Sequence, residues 1–159
     1  MFGDIALAII LCAAGLVFAA HFPLSQRRSG LLCAASIAAD NVVYLLAWTP
    51  VAPHLWMNCQ ATVIWSASAL FAGGIIAEQS AAYWWGRALI ATYIITILTY
   101  VLEAWGMAFA LLSMLTDYAH YVQIVILATV GGRGLRNRII DYLGRHRDNL
   151  GPTCSTMQE

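Results

Sequence analysis

Charged residues are scarce in this chain, and lysine is absent. Of its 159 residues, 10% are charged and 61% are hydrophobic, and the mean hydropathy is +0.72. A soluble domain carries about 25% charged residues and roughly 45–50% apolar ones. A soluble fold of this length has too much surface to hide so many apolar side chains. The composition therefore predicts one all-α membrane domain. The missing lysine excludes a retinal protein, which needs a lysine for its Schiff base.

The sequence also lacks the motifs of common enzyme and cofactor classes. No P-loop, G-x-S-x-G or H-E-x-x-H motif occurs, and none of the four cysteines forms a C-x-x-C pair. No second histidine lies at the depth of His120, which argues against a haem held by two axial histidines. We therefore favour a protein without catalytic activity, metal or cofactor. Its net charge of zero predicts no nucleic-acid partner.

Five stretches approach the length of about 20 mostly apolar residues that a helix needs to cross a bilayer. They cover residues 5–22, 31–51, 57–77, 86–104 and 107–130. Residues 1–132 are therefore predicted to form a five-helix transmembrane bundle. The start of the chain is acidic, with Asp4, and it lacks the positive n-region of a secretory signal. The first stretch is therefore predicted to be a retained helix rather than a secretory signal.

The arginines predict how these helices are oriented. With five spans, the segments 23–30, 78–87 and 131–159 lie on one side and contain all eight arginines. Positively charged loops favour the cytoplasmic side of a membrane. We therefore expect the amino terminus outside, the carboxyl terminus in the cytoplasm, and a multi-pass location in a bacterial inner membrane.

After Gly131 and Gly132, which are predicted to end the fifth span, the chain reads as a basic amphipathic helix over residues 133–147. Its apolar positions recur at one-turn and two-turn spacing along one face. The arginines beside that face are Arg133, Arg136, Arg138, Arg145 and Arg147. This pattern predicts a short interfacial helix on the inner leaflet, with arginines drawn to anionic lipids. Residues 148–159 are predicted to be a disordered tail.

Polar residues near the middle of the predicted spans point to a site. An aspartate at the centre of a membrane helix costs roughly 2.5–3.5 kcal/mol. From the rise of a helix, Asp40 and Asp117 each lie roughly 15 Å from one end of their span, near the midplane. The candidates for a proton, ion or polar-core site are Asp40, Asn41, Tyr93, Thr96, Asp117 and His120.

These candidates leave several functions open. Burial disfavours the charged form of a carboxyl group, and a histidine adds a second titrating group, so a proton- or cation-linked transporter or channel subunit is one prediction. Alternatively, the same groups only bond one another and fix helix packing. The protein would then be a non-catalytic membrane interaction protein, either an accessory subunit or a phage holin-like protein. A third alternative is an enzyme acting on a lipid or quinone near Trp84, Trp85 and Arg87. Because the chain is small, we expect a homo-oligomer or an assembly with other membrane subunits.

Overall fold

A computed structural model describes residues 2–48, 59–105 and 110–148, and within these ranges the chain forms five α-helices and no strand. The helices are α1 (Phe2–Ala20), α2 (Leu24–Trp48), α3 (Cys59–Glu78), α4 (Trp84–Ala104) and α5 (Ala110–Asp148). Consecutive helices pack side by side, and α5 returns to α1, so the five helices close into a ring. The prediction of an all-helical bundle is confirmed for these residues.

Four parts of the predicted division lie outside the described residues. They are the end of the second predicted span, residues 49–51, the starts of the third and fifth predicted spans, residues 57–58 and 107–109, and residues 149–159 of the tail.

The inside of the ring holds an apolar core, which includes Phe22, Leu70, Leu89 and Leu127, together with several polar side chains, and apolar side chains also cover much of its outside. The buried polar residues among those described are Ser36, Asp40, Ser66, Ser80, Thr92, Thr96, Thr99, Thr116 and Gln123. Exposed large apolar residues occur on all five helices and include Ile10, Val17, Leu32, Val42, Ile64, Phe71, Ile94, Leu98, Leu111 and Val125. A helical bundle in water normally turns its apolar stripes inward and its charged residues outward. In the described part of this bundle, large apolar side chains also lie on the outer surface.

One described helix meets both the length and the hydropathy of a membrane span. This segment is Trp84–Leu102, with a mean hydropathy of 1.5 and 44% of its residues buried in the bundle. Two shorter apolar helical segments, Ile9–Ala20 and Val63–Glu78, occur among the described residues. The five spans predicted from the sequence are therefore not confirmed by helix length and hydropathy.

The turn between α1 and α2 is tighter than predicted. Helix α2 begins at Leu24 rather than at residue 31. The side chain of Arg27 donates a 2.6 Å hydrogen bond to the carbonyl oxygen of Ala20, which satisfies the end of α1. The ring of Phe22 lies over Gly30, where a Cβ would stand 2.5 Å from it. Gly30 is therefore a packing residue inside α2, and the predicted turn at this glycine is wrong.

The predicted end of the fifth helix at Gly131 and Gly132 is also wrong, because α5 continues to Asp148. A Cβ at Gly131 would overlap the carbonyl oxygen of Phe18, on the neighbouring helix α1. This glycine lets the backbones of α5 and α1 approach closely, which is a common use of glycine within a helix interface. The tail is thus an extension of α5, and every residue from 135 to 145 is exposed.

Candidate functional site

Side chains of α2 and α4 meet at three levels inside the ring. The pairs are Gln26–Trp85, Cys33–Tyr93 and Asp40–Tyr100. In each pair the α4 side chain donates, and the donor–acceptor distances are 2.8, 3.2 and 3.2 Å. The α2 members are spaced by seven residues, which is two helical turns or about 10 Å. Helices α2 and α4 therefore run parallel, and polar contacts between them recur along the interior.

The third level is the candidate site, because α5 adds a histidine to it. Asp40 is fully buried, and Nε2 of His120 lies 2.6 Å from its Oδ2 atom. The hydroxyl of Tyr100 donates to the same carboxylate, at 3.2 Å from Oδ1 and 3.3 Å from Oδ2. With Asp40 ionised, the Nε2–H group of His120 is the donor, and the short distance is typical of a charge-assisted hydrogen bond. Three helices thus converge on one carboxyl group.

No arginine neutralises this carboxylate within the described residues. Asp40 has an ion-pair contact there with His120, and its other hydrogen-bond donor is Tyr100. The thiol of Cys12, on α1, and the phenol of Tyr93 also interact electrostatically with Asp40. An arginine would hold the carboxylate permanently charged, whereas a histidine exchanges its proton near neutral pH. The described ion-pair partner of the buried carboxylate is therefore a histidine and not a permanently charged residue.

The imidazole of His120 also links the buried carboxylate to the surface. Its side chain is 17% exposed, whereas the Asp40 side chain is 0% exposed. A proton that arrives at the accessible edge of the ring is one hydrogen bond away from Asp40.

Gln123 adds an unsatisfied amide close to this site. Its side chain is fully buried, and neither Nε2 nor Oε1 has a hydrogen-bond partner in the described part of the chain. Leaving a buried polar group unpaired costs about 1–3 kcal/mol. Gln123 lies one turn from His120, towards the end where the arginines lie. Its buried donor and acceptor can bind a water molecule or a small cation.

The position of Gln123 along the axis of the bundle follows from a contact between α4 and α5. The hydroxyls of Thr99 and Thr116 lie 2.8 Å apart, which fixes how these antiparallel helices align. Thr92 and Gln123 are each seven residues from that contact in the same direction, or about 10 Å. They therefore lie at one level, next to Tyr93 in the middle α2–α4 contact. Gln123 thus lies at about the level of Tyr93, one level away from Asp40 and Tyr100.

The structure distributes the sequence-derived candidates over several places. Asp40 and His120 are in contact, although they are 80 residues apart in the chain. Tyr93, on α4, lies at the level of Cys33, where its hydroxyl donates to the backbone carbonyl oxygen of that residue. Asn41 and Thr96 each donate to a carbonyl oxygen of their own helix. Within the described part of the structure, neither of these two side chains forms a hydrogen bond with the carboxyl group of Asp40.

Asp117 lies outside this cluster, because its side chain is exposed on the outer surface of α5. A residue three positions before His120 is rotated by about 60° from it around the helix. Gln123, three positions after His120, is rotated by the same angle in the opposite direction and is buried. Of the two polar residues that flank His120 on α5, Gln123 therefore faces the interior and Asp117 does not.

The basic residues of the tail are mostly exposed. Arg133, Arg136, Arg138 and Arg145 are exposed, and the side chain of Arg147 lies outside the described part of the structure. Arg138 donates from Nη2 to the carbonyl oxygen of Phe22, at 3.4 Å. This contact ties the extension of α5 to the turn between α1 and α2.

Three interior residues were not among the sequence-derived candidates: Tyr100, Gln123 and Trp85. Tyr100 follows Tyr93 by seven residues, as Asp40 follows Cys33, so a two-turn repeat on both helices is the signal that could have found it. Gln123 continues the polar stripe through His120. Trp85 carries no such signal, since its neighbour Trp84 is 48% exposed while Trp85 is 1% exposed.

The described residues thus form a helical bundle with a buried carboxylate–imidazole pair at its centre. Within the same residues, no group of three His, Cys, Asp or Glu side chains is placed to hold a metal ion. Comparisons with protein-family models, curated proteins and solved structures gave no match. The function is therefore inferred from the geometry of this site.

Proposed function

We propose that this chain is a multi-pass membrane protein whose Asp40–His120 pair binds and releases a proton or small cation, as part of a transporter or channel subunit. The observation that carries the proposal is the 2.6 Å contact between a fully buried carboxylate and a partly exposed imidazole. Ionisable residues inside a membrane bundle commonly mark ion pathways and proton relays.

The membrane location is supported by the many large apolar side chains on the outer surface. Apolar side chains such as Ile10, Ile64, Phe71 and Leu98 face outward from three different helices. Soluble monomers rarely expose large continuous apolar surfaces. All eight arginines lie in segments that five spans would place on one side. The proposed arrangement is five spans with the amino terminus outside, in a bacterial inner membrane, and with basic residues of the tail near anionic lipids.

The proposed path runs through the interior contacts between helices. From Asp40 and His120, the next polar groups towards the arginine-rich end are the amide of Gln123 and the hydroxyls of Tyr93 and Ser36, which lie 3.3 Å apart. Each of these groups can form a hydrogen bond with a hydrated proton or a hydrated cation. The next level towards the arginine-rich end holds Gln26 on α2 and Trp85 on α4. The polar groups of the proposed path therefore come from more than one helix.

A reconstituted system tests this function directly. The full chain is inserted into liposomes that contain a pH-sensitive dye, and a potassium diffusion potential drives proton entry. We expect the wild-type protein to acidify the interior and Asp40→Asn to reduce the rate at least tenfold. Asp117→Asn is the matched control, because it removes an exposed carboxylate from α5 and leaves the buried pair intact. Equal rates for Asp40→Asn and wild type would reject the proposal. It would also be rejected if the wild-type protein gave no more flux than empty liposomes under each of three gradients, of protons, sodium and potassium.

A second candidate function is that of a membrane interaction protein. Its specific support is the exposed extension of α5, residues 135–145, which offers apolar and basic side chains on all sides. A protein of this kind keeps its partner contacts in Asp40→Asn and loses them when residues 135–159 are removed. Quantitative co-purification from native membranes separates the two candidates, because the flux assay depends on the interior and co-purification depends on the extension.

A further inference from the structure

The outer face of α5 carries a regular repeat of mostly exposed apolar side chains. Residues spaced alternately by three and four form one stripe along almost the whole helix. They are Leu111, Met114, Tyr118, Tyr121, Val125, Ala128, Gly132, Leu135, Ile139 and Tyr142. We call this stripe the α5 seam. Its large residues are between 37% and 65% exposed. An alternation of three and four is the a/d pattern by which one helix packs against another in a left-handed coiled coil.

We infer that the α5 seam is a self-association surface, on which a second copy of this chain packs its own α5 in parallel. Copies inserted in one membrane share one orientation, so a two-fold axis along the membrane normal brings each seam position opposite itself. This parallel alignment rests on the membrane orientation proposed above. The association itself does not depend on proton or cation binding.

Glycine at position 132 supports a close helix neighbour. No atom of the described chain lies within 4 Å of where a Cβ on Gly132 would stand, apart from its own helix backbone and chain neighbours. By contrast, Gly131 and Gly134 lie against carbonyl oxygens of α1, so contacts within the chain explain them. Ala128 and Gly132 form a small-x-x-x-small pair in the middle of the seam, a pattern that lets two helix backbones approach.

The length of the seam favours a copy of the same helix as the partner. Its first half would lie in the membrane, and its second half, from Leu135 onward, extends beyond the other helices. A partner that covers both halves must be a helix that leaves the bilayer at the same level and in the same direction. The second copy supplies such a helix. In water, burial of Leu135, Ile139 and Tyr142 adds a hydrophobic driving force that lipid does not provide.

The charges along α5 permit this pairing. None of the ten seam positions is charged. Beside the seam, Arg138 occupies a g position and faces Leu143 of the second helix, while Arg136 occupies an e position and faces Gly131. Parallel copies therefore pair without placing one arginine against another.

Dimerisation would also explain why the side chain of Asp117 is exposed in a single copy of the chain. This acid lies one position before Tyr118, beside the seam, at the depth predicted for the membrane midplane. An aspartate facing lipid costs roughly 2.5–3.5 kcal/mol. A parallel copy brings the hydroxyls of a second Tyr118 and a second Tyr121 to the same level. Tyrosine hydroxyls are donors that a carboxyl group in a dry interface needs.

Two neighbouring isoleucines provide a matched test. Ile139 belongs to the seam and is 50% exposed, while Ile140 is rotated away from it and is 54% exposed. The full chain is purified in mild detergent, and its dimer dissociation constant is measured by native mass spectrometry and by fluorescence resonance energy transfer between labelled copies. We expect Ile139→Glu to raise that constant at least tenfold and Ile140→Glu to leave it within twofold of wild type. Circular dichroism should be unchanged in both variants, because both side chains are exposed.

A charge-swap experiment identifies the partner as a second copy. Ile139→Glu and Ile139→Lys copies should each be monomeric, and a mixture of the two should form mixed dimers. A monomeric wild type, equal effects of Ile139→Glu and Ile140→Glu, or no mixed dimers would each overturn the inference. These readouts involve no ion flux, so their failure is distinct from failure of the proposed transport function.

Discussion

Nε2 of His120 lies 2.6 Å from Oδ2 of Asp40, which joins α5 to α2 across the middle of the ring. These two helices otherwise touch only slightly, since each packs mainly against other neighbours. A short polar contact between helices with little shared surface holds the ring closed at that level. It also makes the strength of the pair measurable, because few other contacts change when one partner is replaced.

Replacing His120 by alanine should destabilise the bundle. The variant leaves the buried Asp40 with Tyr100 as its remaining donor, and breaking a buried ion pair by removing one partner costs roughly 3–5 kcal/mol. The double variant Asp40→Asn with His120→Ala should recover most of that loss, because no buried charge remains unpaired. Urea unfolding in detergent, followed by circular dichroism, gives the four free energies of a double-mutant cycle. Additivity within about 0.5 kcal/mol would show that the two side chains do not interact.

The hydroxyls of Tyr100 and Tyr93 should contribute differently. Tyr100 donates to a carboxylate, and a hydrogen bond to a charged group is worth about 1.5–3 kcal/mol. Tyr93 donates to a backbone carbonyl oxygen, where about 0.5–1.5 kcal/mol is typical. We therefore expect Tyr100→Phe to lower the free energy of unfolding more than Tyr93→Phe does. The reverse order in the same unfolding assay would contradict this ranking of the two hydrogen bonds.

The helices and part of the site follow from sequence, and the reasons are physical. Apolar runs bounded by turn residues located five helices, since a backbone in an apolar environment must satisfy its own hydrogen bonds. The rise of a helix was enough to estimate that Asp40 and His120 lie at similar depth. Depth alone does not define which face of each helix turns inward. That choice depends on the packing of the whole ring, and for this reason Asp117 was grouped with residues that it does not contact.

Glycine shows a second limit of sequence reasoning. Gly30, Gly131 and Gly132 were assigned to turns because glycine is common there. In the structure the first two lie against Phe22 and against the backbone of α1 at Phe18. A glycine that ends a helix and a glycine that permits close packing have the same local sequence signal. The difference lies in a neighbouring helix that the local sequence does not reveal.

Gln123 should separate stability from transport. Methionine has a similar volume and no strong donor or acceptor, so Gln123→Met removes two unpaired buried polar atoms. We expect the free energy of unfolding to rise by about 1–3 kcal/mol. If the amide belongs to the proposed path, the flux in liposomes should fall several-fold in this more stable protein. Lower stability would show that the amide has a partner in the folded state, and unchanged flux would remove Gln123 from the path.

The glycines of α5 give a final test of the fold. Gly134 lies against the carbonyl oxygen of His21, whereas no atom lies within 4 Å of a Cβ built on Gly144, farther along the same helix. Gly134→Ala should therefore force α5 away from α1 and destabilise the bundle by about 1–3 kcal/mol. Gly144→Ala meets open space and should stabilise the helix by roughly 0.5–1 kcal/mol, because glycine loses more backbone entropy than alanine. Thermal unfolding in detergent measures both variants. If the two substitutions had the same effect, α5 would not pack closely against α1 at this point, and the close approach at Gly131 would be in doubt as well.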